Sequence, residues 1–223
     1  MNNIRLKIIR SRRRTVGLEI TQAGELLVRA PENLSKAQLE VILQKHQRWI
    51  ARKIALVSQR TKVVSRRYQP GEKFLYLGKE YPLLLRPHGQ MSLSFDGQAF
   101  WLAENSQTKV KSLFEKLYKK LARHYLSSRL KTLSKSYGLN YKKFRLSSAR
   151  TRFGSCSLRG TISLSWRLIM APPEIIDYVI IHELAHTKEN NHSKNFWKLV
   201  AYFVPDYKEK RRWLRTNGFR LNL

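Results

Sequence analysis

Cysteine is nearly absent: Cys156 is the single one in 223 residues. An internal disulfide framework is therefore excluded, and a thiol with no partner suits a reducing compartment. Long apolar runs are absent too. Nowhere does the chain approach the ~18 apolar residues of a membrane span, and MNNIRLKIIRSRRR has no apolar core of signal-peptide length. A cytoplasmic protein without a membrane partner is expected. Acidic residues are scarce, 15 Asp and Glu against 44 Lys and Arg, for a net charge of +29. There is no internal repeat, no low-complexity segment, no Gly-rich phosphate loop and no carboxylate cluster of the kind that holds magnesium.

What is present suits a folded protein. Hydrophobic residues make up 42% of the chain, with Trp, Tyr and Phe spread along it, whereas disordered chains are depleted in them. The excess charge is uneven. Residues 1–70 hold 16 basic and 4 acidic groups, 71–105 hold 3 and 4, 106–152 hold 14 and 1, and 153–223 hold 11 and 6. The segments 1–70 and 106–152 therefore have the charge to attract DNA or RNA, although basic residues also coat ordinary solvated faces.

Periodicity divides the chain near residue 104. IRLKIIR, TVGLEIT and ELLVRAP read as short strands of an antiparallel meander, with QAG as a turn. Ser35 and Gln38 form a capping-box pair, and apolar residues from Leu39 to Ile54 then recur at helical spacing as one helix to about Val57. A basic connector, SQRTKVVSRRYQPG, leads to four more strands, FLYLG, EYPLLLR, MSLSF and AFWLA, with a hairpin turn at Asp96-Gly97. From Ser106 a long amphipathic helix runs to Gly138, a suitable residue just past a helix end. FRLSSAR and TISLS are strands joined by TRFGSCSLRG, and Pro172-Pro173 opens a helix through Leu184. Ser193 caps a further helix, which Pro205 ends before the basic tail KEKRRWLRTNGFR. The class is α+β: residues 1–104 as a β-rich N-terminal extension with one helix, then 105–223 as a domain with a long helix, a small sheet and a histidine-bearing helix.

That last helix contains IIHELAHTKENNHSKNFW. His182 and His186 are four residues apart, so both project from one helix face and reach a single ion, most naturally zinc. Glu183 lies beside the first ligand, where a carboxylate takes a proton from activated water and returns it to a leaving amine. Catalytic zinc keeps three protein ligands and leaves the fourth position open. His192 is the natural third, brought back by a turn at Asn190 or Asn191, both of which tolerate the left-handed conformation. Glu189 is the alternative third ligand. His46, His88 and His124 have no companion at ligand spacing.

HELAHTKENNHSKNFW, TRFGSCSLRG and ISLSWRLIMAPPEIIDYVIIHE together resemble the YgjP-like branch of the SprT-like and WLM-like zinc metallopeptidases. The similarity is specific from Arg150 to Trp213 and looser upstream, in RAPENLS and YLGKEYPL. It implies a minigluzincin-type HExxH metallopeptidase with zinc held by His182, His186 and His192. Family members have also been labelled nucleotide pyrophosphatases. Phe153 stands where the family usually has Trp, and Ser165 where Asn is frequent. These departures touch the strand beside the site and leave the ligands intact.

Cys156 as a fourth ligand would close the zinc and remove the position the chemistry needs, so a packed thiol is the expectation. Arg150 and Arg152 flank that segment at strand ends, where solvated arginines are common. Three functions compete. The first is a zinc metallopeptidase acting on a protein or peptide, with TISLS offering an edge to an extended chain and the basic segments recruiting it to nucleic acid. The second is a metal-dependent nucleotide phosphohydrolase, and the third a nucleic-acid binder with structural zinc.

Overall fold

The computed structural model describes residues 5–21, 24–62, 66–87 and 92–223. Its contacts divide it into two compact units, Met1–Ser65 and Arg66–Leu223. Gln22 and Ala23 of the QAG turn, His88 and the first residue of MSLSF fall outside the described residues.

In the first unit the strands are β1 (Leu6–Ser11), β2 (Gly17–Ile20) and β3 (Leu26–Pro31). They do not form a meander. β3 is central, antiparallel to β2 and parallel to β1, with Leu6 opposite Leu26. Alternation in β3 places Leu26, Val28 and Ala30 on one face, where they are buried with Leu39 and Ile50. Those two come from α1 (Lys36–Lys45) and α2 (Gln47–Lys62). The sequence reads as one helix here, but the chain breaks at His46. Its N–H still bonds back to the Ile42 and Leu43 carbonyls, so the interruption is short and leaves the apolar spacing nearly in phase. The capping box of Ser35 and Gln38 is formed.

In the second unit, β4 (Lys73–Tyr76), β5 (Lys79–Arg86), β6 (Leu93–Phe95) and β7 (Phe100–Ala103) pair in the order β4-β5-β7-β6. Asp96 Oδ1 accepts from the Gln98 and Ala99 amides in the expected hairpin turn. The sheet packs on α3 (Val110–Tyr137), and the two share one core of Phe74, Phe100, Phe114 and Tyr118. Stacked and tilted rings fill that core, and the buried Tyr118 hydroxyl donates to the Leu75 carbonyl at 2.6 Å. This explains why the compact units part at 65/66 and not at the change of period near 104: the second sheet buries its apolar face on the long helix.

α3 stops at Gly138 as expected, and behind it β8 (Lys143–Ser147), β9 (Gly154–Cys156) and β10 (Thr161–Ser165) form a sheet. Sequence periodicity shows only its two longer strands. β10 is central, parallel to β8 and antiparallel to β9, so TISLS has no free edge and the short β9 supplies it. A 3-10 turn, Trp166–Met170, leads to α4 (Pro173–Ala185), which buries Ile175, Ile176, Val179 and Ile180. Asp177 of α4 receives a two-pronged bond from Arg129 of α3, at 2.6 and 2.7 Å. The β4–β5 turn also holds α4 in place. A Cβ on Gly78 would stand 2.9 Å from Pro172 Cα, and the Leu77 and Gly78 amides donate to Ile169 and Met170. α5 (Lys194–Phe203) follows, and then α6 (Tyr207–Asn217), where the sequence suggests only a basic tail.

Candidate metal centre

α4 carries His182 and Glu183 in its last turn, and His186 caps its end. The chain then tightens, with the Thr187, Lys188 and Glu189 amides bonding back to Leu184 and Ala185. It returns toward α4 without a left-handed asparagine: Tyr68 and Leu77 are the only non-glycine residues at positive φ among those described. In place of that turn, the Asn191 side chain accepts from the Ser193 amide, and the Ser193 hydroxyl accepts from Phe196 to start α5. A polar side chain thus does locally what left-handed backbone was expected to do.

The result brings His182, His186 and His192 together, each with a ligand atom within 4.8 Å of the others. The Nε2 atoms of His182 and His192 face each other at 3.1 Å. Zinc–nitrogen bonds of ~2.0–2.1 Å in tetrahedral arrangement place ligand atoms about 3.3 Å apart, so this spacing fits. His186 Nδ1 lies 2.9 Å from the Glu189 carbonyl. A carbonyl only accepts, so Nδ1 carries the proton and Nε2 keeps its lone pair for a cation. Glu189 therefore contributes its backbone oxygen, and its carboxylate is not in the cluster. His182 Nδ1 is buried and has no partner among the described residues.

Aromatic packing fixes the three rings. Fully buried Phe196 lies under them, 4.4 Å from His186 and 4.9 Å from each of the others, centroid to centroid. His192 is exposed, but its ring stacks on Trp197, which stacks in turn on Tyr207 of α6 and lies under the Arg211 guanidinium. Burial holds His182 down to about 3, helped by its two histidine neighbours and Arg211, so the ring is neutral and able to ligate. His192 is lowered for the same reasons, burial first and then His186 and Arg211.

Glu183 is 6% exposed. Burial raises its carboxyl to about 7, and nearby Arg152 opposes the shift. Its carboxylate rests on β9, where Gly154 leaves the necessary space. A Cβ there would come 2.6 Å from Glu183 Cγ and 2.8 Å from Cδ, and closer still to Oε1. The close approach of strand to helix depends on that missing side chain. Gly154→Ala should cost about 1–3 kcal/mol by overpacking, and thermal melts should show a much smaller loss in a Glu183→Ala background. An equal loss in both backgrounds would mean that the carboxylate does not constrain the strand. Sequence reasoning missed Gly154, although a glycine inside TRFGSCSLRG is the available signal.

The ionisation of Glu183 also sets a stability slope. Its folded value of about 7 lies above the ordinary carboxyl value of ~4.3, so the folded state holds the extra proton between them. The metal-free protein loses stability as pH rises through that window, by about 4 kcal/mol for this group. His182 acts in the opposite sense, costing stability as pH falls below about 6.5. In EDTA-treated samples, Glu183→Gln should therefore raise the melting temperature more at pH 8 than at pH 5. An equal gain at both would contradict the assignment.

The remaining residues of the segment fall around the centre. Cys156 is half-buried, packed against the core and outside the histidine cluster, its thiol raised by burial and then by Glu183. Ser165 is buried, donates to the Ala149 carbonyl and accepts from Arg167, so it braces the loop before β9. Arg150 and Arg152 are exposed. The aromatic ring of Phe153 faces Gly218, where a Cβ would stand 3.0 Å from it.

A helix presenting two histidines one turn apart, a third from the following turn, and a buried glutamate between strand and helix define the class: a metallopeptidase domain. The chain belongs to the YgjP-like family, whose metallopeptidase-domain model matches residues 14–217. A curated relative from Escherichia coli (strain K12), named UTP pyrophosphatase, is 30% identical over 70 residues, which cover 30% of this chain and 42% of that protein. The chain thus matches less than half of that relative's length. Among solved structures, the metallopeptidase zymogen of Pyrococcus abyssi abylysin is 27% identical, with a TM-score of 0.37 over 40% of this chain and 92% of that one.

Proposed function

We propose that the protein is a zinc-dependent peptidase in which His182, His186 and His192 hold the metal and Glu183 moves the proton. The observation that carries this reading is the convergence of three imidazoles beside a buried carboxylate, in a chain of the YgjP-like metallopeptidase family. When bound, zinc supplies Lewis acidity, polarising a carbonyl and acidifying water. Glu183, titrating near neutrality, takes the proton from the attacking water and delivers it to the departing amine. The Glu189 carbonyl orients His186, and Trp197 orients the exposed His192 ring. β9 is the edge strand beside Glu183. Phe153 and Ser157 bond across to Ser165 and Thr161, so by alternation Ser155 also faces β10 while the backbone groups of Gly154 and Cys156 point away from it, where an extended substrate can add as a further strand.

The name of the E. coli relative favours a second reading, hydrolysis of a nucleotide phosphoanhydride at the same centre. Neither reading needs a membrane: among the described residues no helix is long and apolar enough to cross one. The net charge of +29, concentrated in residues 1–70 and 106–152, supports recruitment of the enzyme to nucleic acid, and the lone thiol supports a cytoplasmic setting. The test is cleavage of unstructured peptides by the zinc-loaded protein. Loss of cleavage with EDTA and its return with zinc are expected. Cleavage that survives metal removal would overturn the proposal.

A further inference from the structure

The solvent side of α3 carries a row of cations. Lys109, at the helix N-cap, and Lys116, Lys120, Arg123, Lys131 and Lys135 within the helix are all exposed. At 3.6 residues per turn they occupy about a third of the helix circumference, and the row is roughly 39 Å long. The only acidic residue of α3, Glu115, pairs with Lys119 off this row. Asp177 is taken by Arg129. Among the described residues, none of the six takes part in an ion pair. A depression of about 510 Å³ opens on the same face, lined by Lys119, Lys120, Arg123, His124 and Ser127, with no carboxylate in its wall.

Such a row is self-repelling, and the helix holds it because its opposite face, including Phe114, Tyr118 and Ala122, is locked in the core. We propose that this face of α3 binds the phosphate backbone of double-stranded nucleic acid. The inference rests on recruitment to nucleic acid and is independent of the zinc chemistry. The length of the row matches one duplex turn, ~34–36 Å. No aromatic side chain stands in it to stack on bases, which disfavours a single strand. A membrane-surface helix would bury its apolar face in lipid, and here that face is already occupied.

The test is a titration of the zinc-loaded full-length protein with a fluorescent 20-base-pair duplex between 50 and 200 mM salt. Four phosphate contacts predict a loss of affinity of about 150-fold over that range. The combined variant Lys116→Gln, Lys120→Gln, Arg123→Gln and Lys131→Gln should flatten most of that slope. A control with the same charge loss, Lys194→Gln, Lys198→Gln, Lys208→Gln and Arg212→Gln, should keep it. Changing the duplex sequence should leave affinity within a few-fold, since phosphate contacts read no bases. The proposal is overturned if both variants flatten the slope equally, if the duplex does not bind, or if only vesicles containing phosphatidylserine do. Melting temperatures of both variants should match the parent, because exposed substitutions of this kind shift stability little.

Discussion

Glu183→Gln should retain zinc and fold while losing hydrolysis by about 10²–10⁴-fold, the usual contribution of a positioned acid–base group. The substitution keeps the shape that β9 packs against and removes only the group proposed to take and return a proton. Because burial holds the carboxylate near 7 in the metal-free protein, replacing it also relieves a desolvation cost, so the metal-free variant should be at least as stable as the metal-free parent above neutral pH. Loss of activity together with gain of stability separates a functional carboxylate from a structural one, whose removal would cost stability. Full activity in a stable, zinc-loaded variant would remove Glu183 as the base and leave structural zinc as the better account.

His192→Ala should strip the metal. Removing one of the three proposed ligands leaves the pair on α4, and the expected loss of affinity exceeds the roughly 10–100-fold seen when only an orienting residue is changed. Zinc at a thousand times its dissociation constant stabilises a protein by about 4 kcal/mol. The parent should therefore melt higher with zinc than with EDTA, and the variant should melt alike in both. Because His192 is exposed, its loss alone should not unfold the metal-free chain. Unchanged zinc affinity in the variant would show that the third ligand is misassigned and turn attention to Glu189.

The parts of the fold legible in the sequence are those with long, regular patterns. α3 declares itself by an apolar stripe at helical spacing and a terminal glycine, and α4 by Pro172-Pro173 and the run that precedes His182. Two histidines at i and i+4 need no tertiary information to share a face. The missed parts depend on partners. β9 is three residues long, Gly-Ser-Cys, with no alternation to detect, and it exists as a strand because β10 pairs with it. α6 has no buried residue, and its use lies in placing Tyr207 and Arg211 against Trp197. β1 is exposed along its whole length, so its pattern says nothing of its parallel pairing with β3. Gly154 matters through the helix that packs on it, which one strand's sequence does not reveal.

The most direct measurement presents a casein-type protein and UTP to one zinc-loaded preparation and follows new peptide amino termini and released pyrophosphate together. Peptide cleavage that disappears with EDTA and in Glu183→Gln, with UTP intact, is the predicted result. Release of pyrophosphate with the same dependence on zinc and Glu183, and with the protein substrate uncut, would contradict the peptidase assignment and make the centre a phosphoanhydride hydrolase.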